Sequence, residues 1–162
     1  MLRLPVPMDA EPLAHGASLL VPHEGDAVLL EHAWQQDPQT TIATAVPGGG
    51  NPFCDDRGGW PAWLAIELMA QTVAASATLR EFRPGQRARL GLLLGVRDFV
   101  CATERFGAKE RLRIEAVEEM QDETGMGVFD CSLWSDERTV ATATLFVYLP
   151  ADVEEFLSGL EA

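Results

Sequence analysis

Trp60-Pro61-Ala62-Trp63-Leu64-Ala65-Ile66-Glu67-Leu68-Met69-Ala70-Gln71-Thr72-Val73-Ala74-Ala75-Ser76-Ala77-Thr78-Leu79-Arg80-Glu81 decides the fold. From Pro61 to Leu79 the only charged side chain is Glu67. Such a run predicts one long helix to about Glu81, with Pro61 suited to the first helical position and Pro84-Gly85 as the stop. A helix apolar on nearly every face is buried all round, and its alanines allow close backbone approach. The run approaches the roughly 20 residues that span a bilayer, but its Ala, Gln, Thr and Ser content argues for a core helix.

The flanking segments read as strands. Ala27 to Gln35 and Thr40 to Val46 come before the helix; Ala88 to Ala102, Arg111 to Gln121, Met126 to Ser135 and Thr139 to Leu149 come after it. Asp122-Glu123-Thr124-Gly125 marks a hairpin turn. Pro47 to Gly59, with five glycines and two prolines, is a long loop of the kind that often carries function. His15 to Leu20 predicts a turn of helix, Val21 to Asp26 a loop, and Asp152 to Leu160 a short amphipathic helix. The expected architecture is α+β: one long buried helix wrapped by a curved antiparallel sheet, as a single domain over 1–162. About 1–20 would be irregular and about 151–162 a short tail. A sheet wrapped around one helix leaves an edge exposed, so a dimer is expected.

The 162 residues suffice for a core without metal or disulfides. Cys54, Cys101 and Cys131 are odd in number and lack CxxC spacing, which disfavours a disulfide framework and a zinc site and fits a reducing cytoplasm. The first residues, Met1 to Pro12, hold no apolar run of the kind a secretory signal carries, so none is expected. A net charge of -13 counts against nucleic-acid binding. The charge is uneven: Arg80 to Arg113 holds nine bases against four acids, a balance of +5 that leaves -18 for the rest. This segment is either a surface for an acidic or phosphorylated partner or a set of outward strand positions that happen to be Arg.

Glu67 is the leading candidate for chemistry. Burying an unpaired carboxylate is costly and favours its protonated form, which can donate a proton in a reaction. The bland alternative is a structural carboxylate bonded to backbone or Arg. Gln71, one turn on, is placed to orient Glu67 or to serve as a core-edge amide. The backbone N–H groups of Ala62 and Trp63 at the helix start are placed to bind a carbonyl oxygen gaining negative charge. His23 is a candidate base or substrate contact, or a loop histidine bonded to backbone. His15 and His32 carry no comparable signal. There is no metal-ligand spacing, GxSxG or P-loop.

Three stretches resemble the hotdog-fold 3-hydroxyacyl-ACP dehydratases in order and spacing. Leu20-Val21-Pro22-His23-Glu24-Gly25-Asp26-Ala27-Val28-Leu29-Leu30 is similar to that family's LPHR-P-LLVDR motif. Asn51-Pro52-Phe53 stands in the place of its His-Phe-Pro loop. Pro61 to Gln71 is similar to its PG-LL-EAMAQ helix, and Gly91 to Phe99 to its next strand. The details look closest to the dehydratase subgroup of aryl polyene pigment clusters.

The resemblance implies syn elimination of water from a 3-hydroxyacyl thioester held on the phosphopantetheine of an acyl carrier protein, without a further cofactor or metal. A histidine would take the C2 proton, and Glu67 would protonate the departing hydroxyl. Ala62 and Trp63 would hold the carbonyl, and Pro61, Phe53 and Gln71 would line the substrate. Arg87, Arg89 and Arg97 are candidates to dock the acidic carrier. The site would lie at a homodimer or heterodimer interface. The sequence departs from the family where Asn51 replaces the loop histidine, because asparagine cannot act as a base near neutral pH. His23, Asp55 and Asp56 are the other candidate bases, and Asn51 is left as a possible hydrogen-bonding group. Two alternatives follow: a degenerate subunit that supports an active dehydratase partner, and a thioesterase in which Glu67 activates water.

Overall fold

In the computed structural model, which describes residues 15–48 and 50–161, the long apolar stretch forms helix α1, Leu64–Arg80. It starts later than the proline suggests. Trp60–Pro61 is a two-residue strand, β4, paired antiparallel with β6, Arg105–Phe106. That pairing fixes Pro61 outside the helix and leaves Trp63 at the N-cap. Trp60 and Phe106, opposite each other in this ribbon, are both buried and pin the helix start into the core.

The remaining strands make one antiparallel sheet. In chain order they are β1 (His15–Gly16), β2 (His32–Gln35), β3 (Thr40–Ala45), β5 (Leu92–Cys101), β7 (Leu112–Gln121), β8 (Met126–Ser135) and β9 (Arg138–Tyr148). Their spatial order is β1-β2-β3-β7-β8-β9-β5. Inward residues of the central strands, among them Leu112, Ile114, Phe129, Leu133 and Leu145, meet Leu64, Leu68 and Met69 of α1 in one core. The α+β hotdog arrangement expected from the sequence is the one observed.

The β7–β8 turn is the expected hairpin. The Asp122 carboxylate accepts from the backbone N–H groups of Thr124 and Met126. Gly125 adopts φ 98, and a Cβ there would lie 2.2 Å from the Leu149 carbonyl oxygen, so the turn requires glycine. On the outer face of β7, Arg113 is buried, with Nη2 3.3 Å from Glu115 Oε2.

Several local expectations are corrected. Only His32–Gln35 of the stretch from Ala27 is strand; Gly25–Ala27 is a 3₁₀ turn. His15 and Gly16 are strand rather than helix, with a 3₁₀ turn at Ala17–Leu19. The rest of the expected irregular N-terminal segment, 1–14, lies outside the described residues. At the other end, Val153–Leu160 forms helix α2, capped by the Asp152 carboxylate, with Phe156 against Tyr148.

Helix α1 is also less completely buried than its composition predicts. Trp63, Glu67, Ala70 and Ala74, spaced by three and four residues, form one stripe that its own sheet leaves uncovered. This stripe carries the candidate site.

Candidate active site

The site is built where three segments cross the uncovered stripe of α1. With the helix starting at Leu64, Glu67 falls in its first turn. Its side chain is 41% exposed in the protomer, so the expected deep burial is corrected. His23, from the loop before the Gly25–Ala27 turn, places Nε2 3.2 Å from Glu67 Oε1. Its Nδ1 is buried and, among the described residues, has no hydrogen-bond partner. A carboxylate and an imidazole forty-four residues apart in the chain thus form one pair.

Gln71 holds this arrangement. It is fully buried, and its Nε2 donates both to Glu67 Oε1 at 2.9 Å and to the Ala27 carbonyl at 2.7 Å. Its Oε1 accepts from the Leu29 N–H at 3.0 Å. These bonds use its amide fully and tie the loop carrying His23 to the helix carrying Glu67. They also explain why Ala27 to Leu29 is not strand: Gln71 satisfies the backbone groups that a neighbouring strand would otherwise take.

Below the pair lies an apolar cleft of about 150 Å³. Ala70, Val73 and Ala74 of α1 form one side, and Leu92, Val147 and Leu149 the other. Glu67 and His23 also line it, and among the described residues they are the only ionisable groups on its walls.

The other candidate residues are placed as follows. Asn51 Nδ2 donates to the Asp26 carbonyl at 2.9 Å, and its Oδ1 accepts from the Phe53 N–H at 2.9 Å. Its amide therefore holds the 47–59 loop against the turn beside His23. The Ala62 N–H donates to the Glu104 carbonyl at 3.1 Å, which corrects the expectation that it is free. Among the described residues the Trp63 N–H has no partner. Phe53 and Trp63 pack edge to face at 6.1 Å, both exposed beside the helix start.

Asp55 forms an ion pair with Arg105 and accepts from the Gly59 and Arg57 N–H groups. The Arg105 guanidinium first, then the Gly59 N–H, hold its carboxyl well below the usual carboxylate range. A carboxylate so held is a poor base, so Asp55 anchors the loop. Of the basic segment, Arg80 is paired with Glu118, Arg105 with Asp55 and Arg113 with Glu115. Arg87 and Arg97 are exposed, Arg97 lying over the Phe146 ring at 5.2 Å, and Arg89 is half-buried.

Cys54, Cys101 and Cys131 are free thiols. Among the described residues no three of His, Cys, Asp and Glu are grouped to hold a metal ion. No helix there is long and apolar enough to cross a membrane.

A long helix packed against a large antiparallel sheet, with a carboxylate–imidazole pair over an apolar cleft, is the arrangement of a hotdog-fold protein. The chain belongs to the ApeP-like family, described as ApeP dehydratase, whose model matches residues 16–158. It is similar to a chain of the dehydratase heterocomplex ApeI:P from Xenorhabdus doucetiae: 25% identity, 91% of this chain and 99% of that one covered, TM-score 0.81. The TT0310 protein from Thermus thermophilus shares the fold at 17% identity, covering 76% of this chain and 94% of that one, TM-score 0.55. So does AziG from S. sahachiroi, at 15% identity, with 75% and 90% covered and TM-score 0.55. No curated protein matches the chain by sequence.

The mutual placement of His23 and Glu67 was not legible from the sequence, since their two motif-like stretches lie forty-four residues apart and nothing in either names the other as its partner.

Proposed function

We propose that this chain removes water from a 3-hydroxyacyl thioester carried on the phosphopantetheine of an acyl carrier protein, with Glu67 and His23 as the proton-handling pair. The observation that carries the reading is their 3.2 Å contact at the mouth of an apolar cleft. Syn elimination takes a proton from C2 and delivers one to the hydroxyl on C3, two adjacent atoms on one side of the substrate. An acid and a base in contact suit that task. His23 Nε2 takes the C2 proton, the C2–C3 double bond forms, the C3–O bond breaks, and Glu67 protonates the leaving oxygen. His23 is then protonated and Glu67 ionised, and transfer across their contact resets the pair. The Trp63 N–H stands at the helix start, where it would polarise the thioester carbonyl.

A second hotdog subunit is proposed along β5. This strand has β9 on one side and, among the described residues, no strand on the other, and it exposes Leu93, Leu94, Phe99 and Val100. An apolar edge of this length calls for a cover. The carrier is proposed to dock on Arg87, Arg89 and Arg97. Three free thiols suit a reducing cytoplasm.

One observation favours a second reading, in which this subunit only supports an active partner: Asn51 occupies the loop-histidine position and its amide is spent on the loop. The test is mass spectrometry of a 3-hydroxyacyl carrier protein incubated with this chain alone, with a partner subunit, and with both. Loss of one water that needs Glu67 and His23 of this chain supports the first reading. Activity that survives both Glu67→Gln and His23→Gln in the complex supports the second.

A further inference from the structure

Helix α2 is barely held by the protomer that carries it. Val153–Leu160 is eight residues long, too short for a helix to be stable by itself in water. Among the described residues its aromatic contact is Phe156 against Tyr148, at 5.6 Å. Val153, Phe156, Leu157 and Leu160 recur at i, i+3, i+4 and i+7, the spacing of a helix that lays an apolar stripe into a groove. Among the described residues no groove receives it: Leu157 is 46% exposed and Leu160 68%. The charge beside the stripe has one sign. Asp152, Glu154, Glu155 and Glu161 stand there with no base from Asp152 to Glu161. None of the four is in an ion pair among the described residues.

A surface of opposite sign lies at the same end of the protomer. The loop leaving α1 holds Arg83, Arg87 and Arg89, with no acid from Arg83 to Arg89. These three also form no ion pair among the described residues. The loop and α2 flank the same strand ends. Leu92, the first residue of β5, pairs with Tyr148, the last of β9, and a Cβ on Gly91 would come within 3.1 Å of Leu149 Cδ2. Leu79, Phe82 and Pro84 line a hollow beside Arg83. The hollow thus offers apolar surface and an unpaired guanidinium, and α2 offers an apolar stripe and unpaired carboxylates.

We propose that α2 seats in this hollow on a second copy of the chain, with Leu157 and Leu160 against Phe82 and Pro84, and Glu154 and Glu155 facing Arg83. The exchange is reciprocal. Each copy carries both halves at one end, so a two-fold axis there closes both contacts at once and association stops at a pair. Charge selects the occupant, because nucleic acid, an anionic membrane surface and an acidic carrier protein all repel α2. Arg83 belongs to this seat, while Arg87 and Arg89 stay with the carrier surface proposed above. The contact is distinct from pairing along β5 and doubles whatever unit that pairing makes. It does not depend on the reaction the site performs.

Sedimentation velocity on the full chain, over a range of concentrations, reads the assembly. The parent should have twice the mass of a variant carrying Leu157→Asp with Leu160→Asp. Both leucines are exposed, so that variant keeps its fold, and an unchanged thermal midpoint checks this. Arg83→Glu should weaken association about tenfold at low salt and much less at high salt. Glu154→Arg with Glu155→Arg should do the same. All three reversals together should restore association, because the signs are then exchanged across the contact. A parent no heavier than the double leucine variant overturns the proposal, and so does a triple reversal as weak as either part alone.

Discussion

Replacing Gln71 with leucine should both destabilise the protein and loosen the candidate acid. Gln71 is fully buried and spends its amide on three partners: the Leu29 N–H, the Ala27 carbonyl and Glu67 Oε1. Leucine is similar in size and offers none of these bonds. Two backbone groups then lose their partners inside the fold, each costing about 1–3 kcal/mol, or roughly 2–4 together after partial relaxation. For a chain of 162 residues about 1 kcal/mol moves the midpoint by about 2–4 °C, so a fall of about 4–16 °C is expected. Gln71→Glu separates hydrogen bonding from size. The new carboxylate faces the Ala27 carbonyl and Glu67, so its folded form holds a proton more tightly than its unfolded form does. That variant should regain stability as pH falls from 8 towards about 5, whereas the Gln71→Leu deficit should stay flat. Thermal unfolding followed by circular dichroism at several pH values reads both. A Gln71→Leu midpoint within about 2 °C of the parent, or identical pH dependence in the two variants, would refute the reasoning.

Other expectations follow from the same geometry. Asp55→Asn should loosen the 47–59 loop, read as faster proteolysis there. Because the folded carboxyl is held below its ordinary range, the Asp55 contribution is present above about pH 4 and fades as pH falls, so parent and variant should converge in acid. Glu115→Ala leaves the buried Arg113 guanidinium without its carboxylate and should cost about 3 kcal/mol, whereas Arg113→Met, which removes the charge itself, should be near neutral; urea midpoints decide, and equal losses would contradict the account. Arg87→Glu with Arg89→Glu should weaken carrier-protein binding about tenfold at low salt and much less at high salt; no change at low salt removes the docking surface.

The helix was legible because nineteen residues with one charge admit few alternatives, and the strands after it because their alternation and the Asp122 to Gly125 turn are local signals. The errors are non-local. Pro61 fits a helix start by its own chemistry, and only its pairing with Arg105 on a distant segment holds it in a strand. Ala27 to Leu30 has strand composition, but Gln71, more than forty residues on, takes up its backbone groups. Glu67 stood out by being alone. Its exposure was misjudged because composition cannot reveal which stripe of an apolar helix its own sheet leaves bare. His23 was a candidate base in the sequence, but only the fold sets its imidazole against Glu67. Asn51 was singled out as a stand-in for a histidine, and its side chain proves to be a loop fastener.

The central claim is that Glu67 and His23 handle the protons of a dehydration. Its most direct test is single-turnover conversion of a 3-hydroxyacyl carrier protein by the assembled protein, with Glu67→Gln and His23→Gln made separately in this chain and the loss of one water followed by intact mass. Each single substitution should slow the step by at least about a hundredfold, and the double substitution by little more than either alone, because the two act as one unit. Unchanged rates in both single variants, with folding and assembly intact, would contradict the account.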